Sequence, residues 1–303
     1  MAVIGLVGCG RWGRHILRDL ESLGCRVHVV ARSDESRARA TAGGAESIVR
    51  ACHELPDCEG FVVATPTSSH VRVALELASR GVPVFIEKAL SADVRDARAL
   101  VERMGDRLFV MDKWRYHPGV LALSEIVRNG ELGPVEGLRS VRVGWKSHER
   151  DVDASWYLAS HDLAIALEVL GERPEPRAAI VERDRHGIQG MIGILGESPS
   201  VVFEVSERRA RNVREVRLLC RDGQAVLGGS YDDALEILRY GGTEAFEPPS
   251  PERRPVEGML PLLAELAAFV GYLRGGPPPK SNAADALWIV ETIDRLRILA
   301  GAG

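Results

Sequence analysis

The first half of the chain reads as short apolar runs separated by segments of helical period. Ala2 to Val7 forms a first strand, and Arg14 to Leu23 places Ile16, Leu17, Leu20 and Leu23 on one helical face before Gly24 stops it. A strand at Arg26 to Val30 and a helix poor in large apolar residues at Glu35 to Ala42 follow. Gly60 to Ala64 is again apolar, and Leu75, Leu77 and Ala78 mark a helix that Gly81 ends. Val84-Phe85-Ile86 then runs straight into Glu87-Lys88, a helix spans Val94 to Met104, and Leu108 to Met111 is a further strand. Strands that alternate with helices and are apolar on both faces predict a parallel sheet covered on both sides.

The second half changes rhythm. A helix over Val120 to Val127 precedes an alternating strand at Val135 to Trp145, and Leu163 to Leu170, closed by Gly171, reads as another helix. Strand-like segments then follow without helices between them: Ala178 to Arg183, Gly190 to Leu195, Val201 to Val205, Val213 to Leu219, Ala225 to Leu227 and Leu235 to Leu238. This order predicts a large open sheet, mainly antiparallel or mixed, in a separate α+β domain. Pro248 to Pro255 reads as a stiff surface loop, Leu260 to Leu273 as an amphipathic helix, and Ala283 to Leu299 as the last helix. The expected division is a first domain at 1–117, with 280–303 packing back on it, and a second at 118–279. An open sheet with a face to hide implies a homo-oligomer, a dimer or tetramer.

The chemistry concentrates at strand ends. Gly8-Cys9-Gly10-Arg11-Trp12-Gly13 lies between a strand and a helix, the setting in which GxGxxG holds a dinucleotide pyrophosphate on a helix N-terminus. The second strand ends in Arg32-Ser33, where an acidic residue would bind a ribose 2′-hydroxyl; the pair suits a 2′-phosphate and favours NADP(H), while Asp34 leaves NAD(H) open. Lys88 ends the apolar run Val84-Phe85-Ile86 just after Glu87. Lysine occurs only at Lys88, Lys113, Lys146 and Lys280 amid a large arginine excess, and a lysine at a strand end can gain and lose a proton as arginine cannot.

Bulk properties narrow the class. A formal charge of -4 over 303 residues argues against a nucleic-acid partner. Cys9, Cys25, Cys52, Cys58 and Cys220 are scattered without CxxC spacing, which points to reduced, buried thiols of a cytoplasmic protein and to no metal site. No apolar run approaches the ~18 residues of a membrane span.

Several ordered motifs resemble the Gfo/Idh/MocA family of NAD(P)-dependent oxidoreductases. They are the glycine motif, the loop Thr65-Pro66-Thr67-Ser68-Ser69-His70, Glu87-Lys88 (followed here by Ala89 where the family reads proline), Arg115-Tyr116 with Pro118, and the exit phrase Asn129 to Val135. The resemblance implies cofactor contacts from Gly8, Gly10, Arg11, Trp12, Gly13, Arg32, Ser33, Thr65, Pro66, Thr67, His70, Glu87, Lys88 and Arg115. It also implies proton transfer by Lys88 with a histidine that His161 matches. Four residues earlier the family carries Asp; here Tyr157 stands, and a phenol on the same helical face can donate or orient a proton. Trp114, Arg115, Trp145, Lys146, His148 and Trp156 are candidates to line a substrate pocket beside Lys88, Tyr157 and His161, and Asp162 reads as a helix cap. The implied function is hydride transfer between nicotinamide and a carbonyl/alcohol pair of a sugar-like substrate, a nucleotide-linked sugar included. An imine reductase, or a non-catalytic NADP(H)-binding sensor on the same fold, are the alternatives.

Overall fold

The computed structural model describes residues 1–145, 151–230, 232–240 and 250–302. The chain divides into two compact units, Met1–Tyr116 with Leu260–Val290 and His117–Met259 with Glu291–Gly303.

The first unit is a doubly wound α/β domain. Its strands are β1 (Val3–Val7), β2 (Arg26–Val30), β3 (Ser47–Val49), β4 (Gly60–Val63), β5 (Val84–Glu87) and β6 (Leu108–Met111), alternating with α1 (Gly13–Ser22), α2 (Asp34–Ala42), α3 (His70–Ala78) and α4 (Val94–Met104). All strand pairs are parallel, in the order β3-β2-β1-β4-β5-β6. The apolar runs form these strands because both faces are covered: Ile4, Leu6, Val29, Val62 and Phe85 are all fully buried. β3 has no counterpart in the expected elements, being three partly exposed residues.

Residues 260–279, expected with the second domain, belong instead to the first unit. Here the helix Pro261–Leu273 buries Leu266 and Phe269 in the same core as Ile4 and Leu17. Phe269 stacks on Phe85 at 5.0 Å between ring centroids, and Tyr272 meets Phe109 edge-on at 5.1 Å.

In the second unit, α5 (Pro118–Asn129) is followed by β7 (Val135–Trp145), α6 (Ala154–Leu170), β8 (Pro176–Asp184), β9 (Gly187–Leu195), β10 (Ser200–Ser206), β11 (Arg208–Cys220), β12 (Gly223–Leu227), β13 (Ala234–Arg239) and β14 (Glu252–Pro255). The helix Pro261–Leu273 is thus α7, and α8 is Ala283–Leu299; of the residues 280–303 expected to pack on the first domain, only those up to Val290 group with it, and Glu291–Gly303 belong to this unit. The eight strands run β14-β13-β12-β11-β7-β10-β9-β8, with β7 and β10 parallel and the other pairs antiparallel. One face is buried, by Leu138 of β7, Phe203 of β10 and Leu218 of β11. The other leaves Ile180 and Trp145 each 69% exposed and Ile194 38% exposed.

Two expectations change here. The proline-rich stretch read as a loop contains β14, which pairs with β13 through Leu235↔Arg254 and Glu236↔Arg253; its proline stands at the strand end, where a missing amide donor does no harm. Helix α6 begins at Ala154 rather than Leu163, capped by Asp153, whose side chain accepts from the Ser155 amide. Among the described residues no helix is long and apolar enough to cross a membrane.

Candidate active site

β1 is the switch point of the first sheet, with β2 on one side and β4 on the other, so a crevice opens beyond the C-terminal ends of β1 and β4. The glycine loop occupies that position. Gly8 has φ +99°, and a Cβ there would lie 2.7 Å from the Ala64 carbonyl oxygen; a Cβ on Gly13 would lie 2.3 Å from the Gly8 carbonyl oxygen. Gly10 faces open space, with nothing within 4 Å of its Cβ position. Helix α1 has neither an acidic residue in its first turn nor a side-chain cap, so no side chain competes there with an anion, while its Arg14 and His15 amides turn back to the Gly10 and Trp12 carbonyls. A bare backbone aimed at open space below an uncapped helix fits a dinucleotide pyrophosphate.

The flanking residues take defined places. Arg32 is exposed after β2, while Ser33 caps α2, its hydroxyl oxygen accepting from the Ser36 amide at 3.2 Å. In the loop after β4, the Ser69 hydroxyl bonds Thr65 Oγ1 at 2.9 Å and the Pro66 carbonyl at 2.7 Å. His70 is buried, with Nδ1 2.8 Å from the Ala89 carbonyl oxygen and Nε2 2.8 Å from that of Thr65. It clamps the loop after β4 to the one after β5, which gives it a positioning place under the crevice rather than on its surface.

Lys88 follows directly on β5. Beside it, the Trp12 indole N–H donates to Glu87, tying the glycine loop to the end of β5, and Lys113 Nζ stands 4.7 Å from the Trp12 ring centroid. Burial pushes the Glu87 carboxyl up to about 7 against the opposing pull of Lys88, and pushes Asp112 up to about 6 against that of Arg115. Glu265 of α7 is 1% exposed with neither carboxyl oxygen hydrogen-bonded to a described residue. Burial first, and then the charges of Glu87 and Asp112, raise it well above the ordinary carboxyl range. Trp114 is buried, and the Arg115 guanidinium is spent on the start of α8, at 2.7 Å from Asp285 Oδ2 and 3.0 Å from the Lys280 carbonyl.

These acids have a thermodynamic consequence. Their folded-state affinities for protons exceed those of the unfolded chain, so between about pH 4 and about pH 7 the folded state binds more protons. Their contribution is present below that window and is lost as pH rises through it. Glu265→Gln, which keeps the shape and removes the acid, is expected to flatten the dependence of Tm on pH and to gain a few °C over the wild type at about pH 8. Thermal melts across that range test this; an unchanged slope contradicts it.

The second unit brings Tyr157 and His161 together on α6, four residues apart. Almost every other residue of this helix is buried, and Tyr157, His161 and Glu168 form its one partly open stripe. His161 is mid-helix, about two turns from the start, rather than at an N-terminus. Asp162 is not a cap: it is 2% exposed and accepts from Arg142 Nε at 2.8 Å, Arg142 being 5% exposed. Trp156 is buried, with the Arg297 guanidinium 5.2 Å from its ring centroid and Arg297 itself bonded to Asp153 at 2.7 Å, so it packs the helix rather than lining a surface. Trp145 is exposed, and Lys146 and His148 lie outside the described residues.

Residues 3–109 match the model of the Gfo/Idh/MocA oxidoreductases, described as an oxidoreductase family with an NAD-binding Rossmann fold. The rhizopine catabolism protein MocA of Rhizobium meliloti is 30% identical over an alignment that covers 94% of this chain and 90% of that protein. This chain belongs to the Gfo/Idh/MocA family. The D-apiose dehydrogenase of Paraburkholderia graminis is 28% identical, covering 98% of this chain and 87% of that one. Levoglucosan dehydrogenase in complex with NADH and levoglucosan shares the fold at a TM-score of 0.85, with 16% identity, 99% of this chain and 97% of that chain covered. As a Gfo/Idh/MocA member the protein is a nicotinamide-dependent oxidoreductase.

Three charges on buried faces of this Gfo/Idh/MocA chain carry a signal in the sequence. Leu262, Glu265, Leu266 and Phe269 share one buried stripe of α7, with a carboxyl where an apolar residue belongs. In β7, Leu138, Ser140 and Arg142 alternate onto the buried face; in β11, Leu218 and Val216 do so, and Arg214 follows in the same phase.

Proposed function

We propose that the protein transfers hydride between a nicotinamide cofactor and a carbonyl/alcohol pair of a sugar or polyol, with Lys88 as the acid–base group. The observation that carries this reading is the placement of Lys88 at the open end of β5, beside Glu87 and Asp112, in the unit that also holds the glycine cradle. The names of the relatives, sugar dehydrogenases among them, support the substrate class. When bound, the nicotinamide supplies or accepts the hydride. In reduction the substrate oxygen gains negative charge, which the Lys88 ammonium stabilises and then neutralises by giving up a proton. In oxidation the neutral amine takes the hydroxyl proton. His161 relays protons or holds the substrate, and Tyr157 takes with its phenol the place of a carboxylate. The apolar residues on the open face of the second sheet support a homo-oligomer.

The favoured cofactor is NADP(H), because Arg32 is exposed at the end of β2 without an acid beside it at Ser33. Fluorescence titration is expected to show NADPH binding about tenfold tighter than NADH, with Arg32→Ala removing most of the difference. Equal or tighter binding of NADH to the wild type overturns the assignment.

A further inference from the structure

The buried face of the second sheet should be apolar by its own alternation, yet Arg142 and Arg214 stand on it as direct cross-strand partners in the β7/β11 register. Two cations placed opposite each other destabilise a strand pair unless each is offset. Arg142 is offset by Asp162. Arg214 is not: among the described residues no carboxylate pairs with it, and the hydrogen bonds its side chain makes run from Nη1 to the carbonyl oxygens of Val143, at 2.5 Å, and Val213, at 2.6 Å. Both acceptors use one nitrogen. The Nε and Nη2 edge, the side of a guanidinium that meets a carboxylate or phosphate in two parallel hydrogen bonds, bonds to no described residue.

Burial, then the neighbouring Arg142 charge, works against the charged form of Arg214, while Asp162 and the Tyr157 phenol favour it. Arg214 faces Arg142 across the strands, and Arg142 is bonded at 2.8 Å to Asp162 of α6, the residue next to His161, so Arg214 stands under the helix that carries Tyr157 and His161. All of these groups lie in the second unit. A partly buried cation that no described carboxylate pairs directly, on the sheet face that bears the Arg142–Asp162 link to α6, is suited to an anion.

We propose that Arg214 is a specificity-determining residue that binds an oxyanion on the substrate, so that the preferred substrate is a sugar acid or sugar phosphate rather than a neutral sugar. The inference rests on the sugar-oxidoreductase reading for its substrate class, but the anion preference is measured separately from turnover. Arg142, held by Asp162, positions α6 and contributes positive potential to the same place.

The test compares a hexuronate, a hexose phosphate and the parent neutral hexose with the cofactor-saturated protein, by ligand-induced Tm shift and by kcat/KM. The expected result is a Tm shift with at least one of the two anionic probes and a smaller one with the neutral hexose. The identity of the responding anion separates carboxylate from phosphate. Arg214→Met is expected to lower kcat/KM for that anion about ten- to a hundredfold, chiefly through KM, and to lower it for the neutral hexose by much less. Arg214→Lys is expected to recover part of the loss, with cofactor affinity unchanged in both variants. A neutral hexose that binds as well as the anions, or equal losses for all three probes in Arg214→Met, overturns the proposal. Anion-dependent Tm shifts without turnover leave the oxyanion site standing and count against the sugar-oxidoreductase reading alone.

Discussion

Lys88→Met is expected to lower kcat by about 10²- to 10⁴-fold while leaving the affinity for the nicotinamide cofactor nearly unchanged. Methionine keeps the length and most of the apolar volume of the lysine stem, so β5 should close over the same core. What it removes is the ammonium proposed to hold a proton against the developing oxyanion. The cofactor cradle is built elsewhere, from the backbone around Gly8, Gly10 and Gly13 and from the uncapped start of α1. Binding and chemistry should therefore separate in this variant. Arg at the same position should not rescue, because a guanidinium stays protonated through the working range. A turnover number for Lys88→Met within a few-fold of the wild type removes the lysine from the mechanism; a parallel collapse of cofactor affinity assigns it to binding instead.

Arg142→Met should destabilise the second unit by about 3–5 kcal/mol, the cost of leaving a buried carboxylate without its partner. Asp162 and Arg142 are 2% and 5% exposed, joined at 2.8 Å, and neither can turn to solvent without disturbing α6 or β7. The expected loss in Tm is on the order of 10 °C. Replacing both residues, as Arg142→Met with Asp162→Leu, should recover most of that loss, since a well-packed apolar pair is often no worse than a buried ion pair. Thermal melts of the single and double variants decide this. Additive losses in the double variant would show that each side chain matters for something other than the other's charge. The double variant should still lose activity, because α6 carries His161 and Tyr157 on its open stripe.

The doubly wound unit was legible because its strands are apolar on both faces and end at glycine or at charge, as Val84 to Lys88 does. The mixed sheet was legible in outline, since consecutive strand-like segments leave room for little else. What the sequence hid has physical causes. α6 is buried nearly all round, so its first half, Ala154 to Asp162, shows no polar face from which to read a period, and its start was placed nine residues late. That error made Asp162 look like a cap and hid its partner Arg142. α7 looked like part of the second domain because chain order says nothing about which core a helix joins; Phe269 against Phe85 decides it. Glu265, Arg142 and Arg214 each stand as a charged residue in phase with apolar neighbours, a pattern that marks a charge on a buried face but does not name its partner. Of the candidate site, the glycine loop lies between β1 and α1 and Lys88 directly after β5, whereas Trp114 and Trp156 are buried and Arg115 bonds Asp285 and the Lys280 carbonyl.

The most direct measurement of the central claim is the appearance of reduced-nicotinamide absorbance when the protein and oxidised NADP are mixed with a panel of neutral sugars, polyols, sugar acids and sugar phosphates, in the wild type and in Lys88→Met. The account predicts reduction with at least one member of the panel in the wild type and about 10²-fold or greater slowing in the variant at equal cofactor occupancy. Saturating cofactor binding with no reduction by any of the panel would contradict it.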